Sequence, residues 1–176
     1  MNTRETTFKV VFVGDSGVGK TSLIRAFMGE NVENVESTIG IDFHTIVRND
    51  KKIVIWDFAG QEWFREIIVN FISGAFVVVM VFDLSRPKTL INLVNEWAKY
   101  VQELNKDAYV IVVGNKSDIK TIDDLLIHEA LEELKKSLNI VMYIQTSAVR
   151  KENVSKVFDT ILELVELFVK IKQKRR

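Results

Sequence analysis

Short apolar, β-branched runs punctuate the chain, and between most of them apolar residues return every three or four positions. The runs are "FKVVFV" (Phe8 to Val13), "IVIWDF" (Ile53 to Phe58), "AFVVVMVF" (Ala75 to Phe82), "YVIVVG" (Tyr109 to Gly114) and "IVMYI" (Ile140 to Ile144). The longest, Ala75 to Phe82, reads as a strand covered on both faces. In "KTLINLVNEWAKYVQEL", Leu90, Leu93, Val94, Trp97, Val101 and Leu104 share one helical face, and Ser85 and Pro87 mark its start. "TIDDLLIHEALEELKKSL" opens with Thr121 three residues before Asp124, the spacing of a capping box. A last helix is predicted from about Asn153 to Val169, with Val154, Val157, Phe158, Ile161, Leu162 and Val165 facing inward.

One segment departs from this scheme. "IGIDFHTIV" (Ile39 to Val47) alternates apolar with polar or small residues and runs through "RNDKK" into "IVIWDF". That pattern predicts an antiparallel hairpin at the sheet margin. The fold expected is α/β: one domain over residues 1–176, with a six-stranded, mostly parallel sheet, one antiparallel edge strand and about five flanking helices. Ligands of such sheets bind at the carboxyl ends of the strands.

Composition narrows the function classes. Lysine plus arginine and aspartate plus glutamate number 24 each, so no global field draws the chain to nucleic acid. There is no cysteine, which removes disulfides, thiolate metal sites and thiol nucleophiles. The longest apolar run has eight residues, against about 20 for a membrane span. The start, "MNTRETTFK", has no apolar core of the signal-peptide kind, and a cytoplasmic protein is expected.

The chemistry begins where the first strand ends. In "VVFVGDSGVGKTS", Gly14, Gly19, Lys20 and Thr21 complete G-x-x-x-x-G-K-[ST] between a strand and a helical segment. Backbone N–H groups of Asp15, Ser16, Gly17, Val18, Gly19 and Ser22 would cradle phosphates there, Lys20 would add a point charge and the Thr21 hydroxyl would bind Mg²⁺. The loop alone does not separate ATP from GTP. "GNKSD", after a later strand, does. Asp118 can accept from the ring N–H and the exocyclic amine of guanine, a pair that adenine lacks. Asn115 would tie this loop to the phosphate loop, and the Lys116 stem would lie on the purine. In "TSA", Ser147 and Ala148, with Val149 following, would complete the base site, Ala148 through its backbone N–H.

With these residues in place, the chain resembles the Ras superfamily of small GTPases over essentially its whole length, and is most similar to the Rab branch. "GDSGVGKT", Thr38 in "STIG", "DFAG" followed by Gln61, "NKSD" and "TSA" stand in family order. The resemblance implies that the P-loop chain is a slow GTPase switch with Mg²⁺, GTP as substrate and GDP as product. Thr38 and Asp57 would join Thr21 at the metal, the Gly60 amide would contact the γ-phosphate, and Gln61 would orient the attacking water. Gln61, Lys20, Thr38 and Gly60 are thus the implied catalytic set. Two switch loops, about residues 31–43 and 57–73, would signal nucleotide state. Effectors, exchange factors and GTPase-activating proteins would read them, with Phe43, Trp56, Trp63 and Phe71 as candidate contacts. The plainer alternative makes Phe43 and Trp56 alternating core residues and packs Trp63 back on the body. His44 and His128 lack companions at metal spacing and read as structural or surface residues.

Four departures from the family pattern stand out. Phe58 replaces the usual threonine of D-x-x-G, and Val149 a lysine. "ENVENVEST" is shorter than its Rab counterpart and has no aromatic near Asn31 or Val32 to shield the base, which predicts faster nucleotide release. The tail, residues 170–176, "KIKQKRR", has five basic residues and no cysteine for prenylation. It predicts weak electrostatic contact with an anionic membrane, about 1 kcal/mol per basic residue near the surface, or simply a solvated helix end. A monomer is expected. Two other functions compete with the switch: a non-hydrolysing GTP-binding scaffold and a P-loop kinase for a small molecule.

Overall fold

The computed structural model describes residues 6–33, 35, 36, 38–48 and 50–175. Asn34 and Ser37 of the first switch, Asn49 of the hairpin turn, the first five residues and Arg176 of the tail lie outside the described residues.

Six strands form one sheet: β1 (Thr6–Val13), β2 (Ile41–Arg48), β3 (Lys51–Phe58), β4 (Val77–Asp83), β5 (Tyr109–Asn115) and β6 (Ile140–Gln145). Their spatial order is β2-β3-β1-β4-β5-β6. All neighbours are parallel except β2 and β3, whose antiparallel register sets Asp42 opposite Asp57 and Phe43 opposite Trp56. The two hydrophobic patterns explain this order. β4, apolar until its last residue, is buried along its whole length at the centre of the sheet, whereas alternating β2 takes the edge and leaves five of its eight residues exposed.

The helices are α1 (Lys20–Phe27), α2 (Glu62–Ile68), α3 (Pro87–Asn92), α4 (Ala98–Asn105), α5 (Asp124–Lys135) and α6 (Val154–Lys174). A π turn at Leu93–Trp97 joins α3 to α4, so these two run on as one rod. That leaves five rods around the sheet. One face of the sheet packs under the α3–α4 rod and α5, around Trp97, Leu93, Val101 and Phe58. The other packs under α1 and α6, where Phe158 stacks on Phe27 with ring centres 3.9 Å apart.

Two helix boundaries differ from expectation. Asp123, not Thr121, caps α5, accepting from the backbone N–H of Leu125 at 2.7 Å. Thr121 instead donates to the Ser85 carbonyl, which ties it to the preceding loop. Helix α6 runs past Val169 to Lys174, because its polar last turn still has good helix formers and nothing that breaks it. Among the described residues, no helix is long and apolar enough to cross a membrane.

Candidate functional site

The phosphate loop leaves β1 at Gly14, whose φ is +140° and whose missing side chain lets the Val81 carbonyl approach; a methyl group would stand 2.1 Å from that oxygen. The loop ends at the first turn of α1. There Lys20 is buried, and its ammonium donates to the carbonyls of Gly14 at 2.8 Å and Asp15 at 3.0 Å. Burial pulls its pKa down to about 8, against the opposing charges of Asp57 and Asp15. A cation so held would face an incoming phosphate already desolvated.

Thr21, Thr38 and Asp57 converge beside it. The Thr21 Oγ1 lies 2.6 Å from that of Thr38 and 2.5 Å from Asp57 Oδ2. Asp57 is fully buried at the end of β3, its Oδ1 meets no hydrogen-bond partner among the described residues, and burial pushes its carboxyl above the ordinary range despite the Thr21 bond and the Lys20 charge. Two hydroxyls and a carboxylate with an unused oxygen form an all-oxygen donor set, the kind that Mg²⁺ prefers. The residues therefore fit that ion.

Gln61 stands next to this cluster, just before α2. Its Nε2 donates to the Thr38 carbonyl at 3.1 Å, while its buried Oε1 has no hydrogen-bond partner among the described residues. The two segments named as switches are thereby joined at Thr38. A cavity of about 300 Å³ opens here, lined by the phosphate loop, Lys20, Thr21, Thr38, Gly60, Val32 and the Lys116 stem.

At the base end, Asn115 Nδ2 donates to the Val18 carbonyl at 3.0 Å, and its Oδ1 accepts from Thr146 Oγ1 at 3.0 Å and from the Ala148 N–H at 3.3 Å. One side chain thus links the phosphate loop to both later loops. Asp118 is half-buried and accepts from Ser147 Oγ at 2.6 Å. Lys116, in left-handed backbone with φ +65°, sets its ammonium 2.7 Å from Asp83 Oδ2. Val149 is exposed.

Two buried networks behind the cavity were not foreseen. Asp83, at the end of β4, holds Lys116 and also Arg86, which donates onward to the Ser16 carbonyl at 3.0 Å. Burial pushes the Asp83 carboxyl up, but the bonds from Lys116, Ser85 and Arg86 outweigh it and hold the group below its ordinary value. A charged residue closing an otherwise apolar strand was the available signal. The second network centres on Asp15, whose carboxylate turns to Arg65, Asn92 and Trp97. Nothing in the local sequence marks Arg65 as buried.

The aromatic candidates sit on the outside. Phe43 is 55%, Phe71 41% and Trp63 70% exposed, so Phe43 is not a core residue and most of the Trp63 surface faces solvent. Half-buried Trp56 touches both Phe43 and Phe71, with ring centres 4.8 and 5.8 Å away. Phe58, by contrast, is wholly buried, in the same core cluster as Val69 and Ile72 of the 3₁₀ turn, and helps line the cavity.

A family model described as "Ras family" matches residues 9–167. The chain is 36% identical over 168 residues to Ras-related protein RABC2a of Arabidopsis thaliana, covering 92% of this chain and 79% of that one. It is likewise 36% identical over 168 residues to Ras-related protein SEC4 of Saccharomyces cerevisiae, covering 92% and 76%.

Proposed function

The chain belongs to the Ras family, and from that premise we propose how its residues bind guanine nucleotide and cleave GTP. As a member it is a GTP-binding switch that hydrolyses GTP to GDP. The scaffold alternative finds no support in the relatives, and family membership likewise leaves the small-molecule kinase without any.

The phosphates lie on the backbone of residues 14–19 and at the start of α1, against the Lys20 ammonium. Mg²⁺, general in this family, would be held by Thr21, Thr38 and Asp57. When bound it neutralises phosphate charge as a Lewis acid. Thr38 responds to the γ-phosphate, and Gly60 offers its amide to the same group. Gln61 orients the water: its Nε2 is committed to the Thr38 carbonyl, so the buried Oε1 is the acceptor left for a water O–H. That unpaired, oriented oxygen carries the reading. Asp118 and the Ala148 amide read guanine, with Ser147 fixing the Asp118 rotamer. Residues 1–176 act as one domain, working as a monomer in the cytoplasm. Exposed Phe43, Trp63 and Phe71, with Trp56 behind them, form the surface that effectors and regulators read. The basic residues of the tail, 170–176, touch anionic membrane at most weakly.

Identifying the nucleotide released from freshly purified protein on denaturation tests the reading. GDP is expected; adenine nucleotide would overturn the role of Asp118, and GTP alone would overturn that of Gln61.

Val32 lines the cavity in the segment where the family resemblance implies an aromatic to shield the base. A base–aromatic contact is worth about 1–3 kcal/mol. Val32→Phe is therefore expected to slow release of a fluorescent GDP by about 5- to 100-fold. An unchanged off-rate would show that Val32 does not meet the base.

A further inference from the structure

Arg65 lies on α2 with only 6% of its surface exposed, an expensive place for a guanidinium unless its donors are met. Two carboxylates on other elements meet its two terminal nitrogens, while Nε has no hydrogen-bond partner among the described residues. Nη2 donates to Asp15 Oδ1 of the phosphate loop at 2.9 Å, and Nη1 pairs with Glu96 in the π turn. The guanidinium also lies 4.8 Å from the centre of the Trp97 ring. Asp15 in turn accepts from Asn92 Nδ2 at 2.6 Å and from Trp97 Nε1 at 2.9 Å. Asn92 and Glu96, four residues apart, share one face of the rod, and the wider π turn brings Trp97, five residues after Asn92, round to the same spot. Such turns often mark functional sites.

Helix α2 needs this tether. It has seven residues, too few to be stable alone. Trp63 and Ile67 on its outer face are exposed, and among its described side chains Arg65 is the buried one. Gln61 immediately precedes the helix, one turn before Arg65. Whatever holds Arg65 therefore sets the direction from which Gln61 reaches the Thr38 carbonyl and presents its Oε1.

We propose that Arg65 is a positioning residue for GTP hydrolysis, clamping α2 between Asp15 and Glu96 so that Gln61 is aimed at the attacking water. The proposal rests on the reading of Gln61 given above. Arg65 reaches the phosphate loop through the Asp15 carboxylate and, among the described residues, shares no hydrogen bond with Gln61, so it acts on Gln61 through the helix. Its loss should leave the nucleotide bound and the water misplaced.

The test compares single-turnover GTP hydrolysis with release of fluorescent GDP in the full chain. Arg65→Met is expected to slow hydrolysis by about 10- to 100-fold, since small misplacements at a reacting centre are that harmful. GDP release should change by less than about threefold, a split that general damage to the fold would not produce. Arg65→Lys, which keeps one charged donor, should recover part of the rate. Added to Gln61→Leu, Arg65→Met should slow hydrolysis no further, because the two act as a unit. Wild-type hydrolysis in Arg65→Met beside a slow Gln61→Leu overturns the proposal, as does a joint shift of hydrolysis and release. Wild-type hydrolysis in Gln61→Leu overturns the reading beneath it instead. Should Arg65→Met fail to fold, Trp97→Phe removes only the indole donor to Asp15. It is expected to slow hydrolysis by about two- to fivefold with release unchanged, and a wild-type rate there also overturns the proposal.

Discussion

Asp118→Asn is expected to lower GDP affinity by about 10²–10⁴-fold and to raise affinity for xanthosine diphosphate. The carboxylate can accept two hydrogen bonds from guanine, and bonds to a charged group contribute about 1.5–3 kcal/mol each. Asparagine keeps one acceptor but turns the other position into a donor, which opposes the exocyclic amine of guanine. Xanthine carries a carbonyl there and accepts that donor. Ser147, 2.6 Å from Asp118 Oδ1, can bond either side chain, so the loop keeps its shape and the effect belongs to the base. Competition titrations with the two diphosphates measure it directly. Equal GDP affinity in the variant would mean that Asp118 does not meet the base.

The second large effect comes from a single methyl group. A Cβ on Gly60 would stand 2.3 Å from the Asp15 carbonyl carbon and the Ser16 nitrogen, and 2.6 Å from the Asp15 oxygen. All three are backbone atoms of the phosphate loop, and none can swing aside. Gly60→Ala therefore has to push the β3–α2 junction off that loop, carrying Gln61 away from the Thr38 carbonyl. Lys20, Asn115 and Asp118 stay where they are, so GDP affinity should hold within about threefold while hydrolysis falls by about 10²-fold. Single-turnover hydrolysis beside a GDP titration separates the two. Normal hydrolysis would show that the close approach of Gly60 is not part of the reacting arrangement.

The strands and the phosphate and base loops were legible because each depends on residues close in sequence. Apolar runs gave the parallel core, alternation placed β2 at the edge, and the motifs fell just after the strands. The π turn was hidden: Leu90, Leu93, Trp97 and Val101 keep helical spacing straight through it, so no break in period announces the extra residue. Thr121 was mistaken for a cap because Asp123 offers the same chemistry two residues later, and spacing alone does not choose between them. The partners in the ion pairs of Asp15 with Arg65 and of Asp83 with Lys116 were hidden for another reason, although Asp83 itself stood out at the end of an apolar strand. The paired residues are far apart along the chain, and a charged residue reads as solvated until the fold shows otherwise.

Strand order also bears on how the protein survives. The cavity-side residues come from the ends of β1, β3, β5 and β6, strands paired through a sheet in which every pairing but the β2–β3 hairpin is distant in sequence. No smaller part of the chain can assemble those ends, so nucleotide binds the folded protein and nothing less. Ligand present at 1,000 times its dissociation constant then adds about 4 kcal/mol to global stability, a large share of what a domain this size possesses. Each exchange of GDP for GTP passes through an empty state deprived of that support. A faster-releasing site visits it more often, and the cell's guanine nucleotide pool becomes part of what keeps this chain folded.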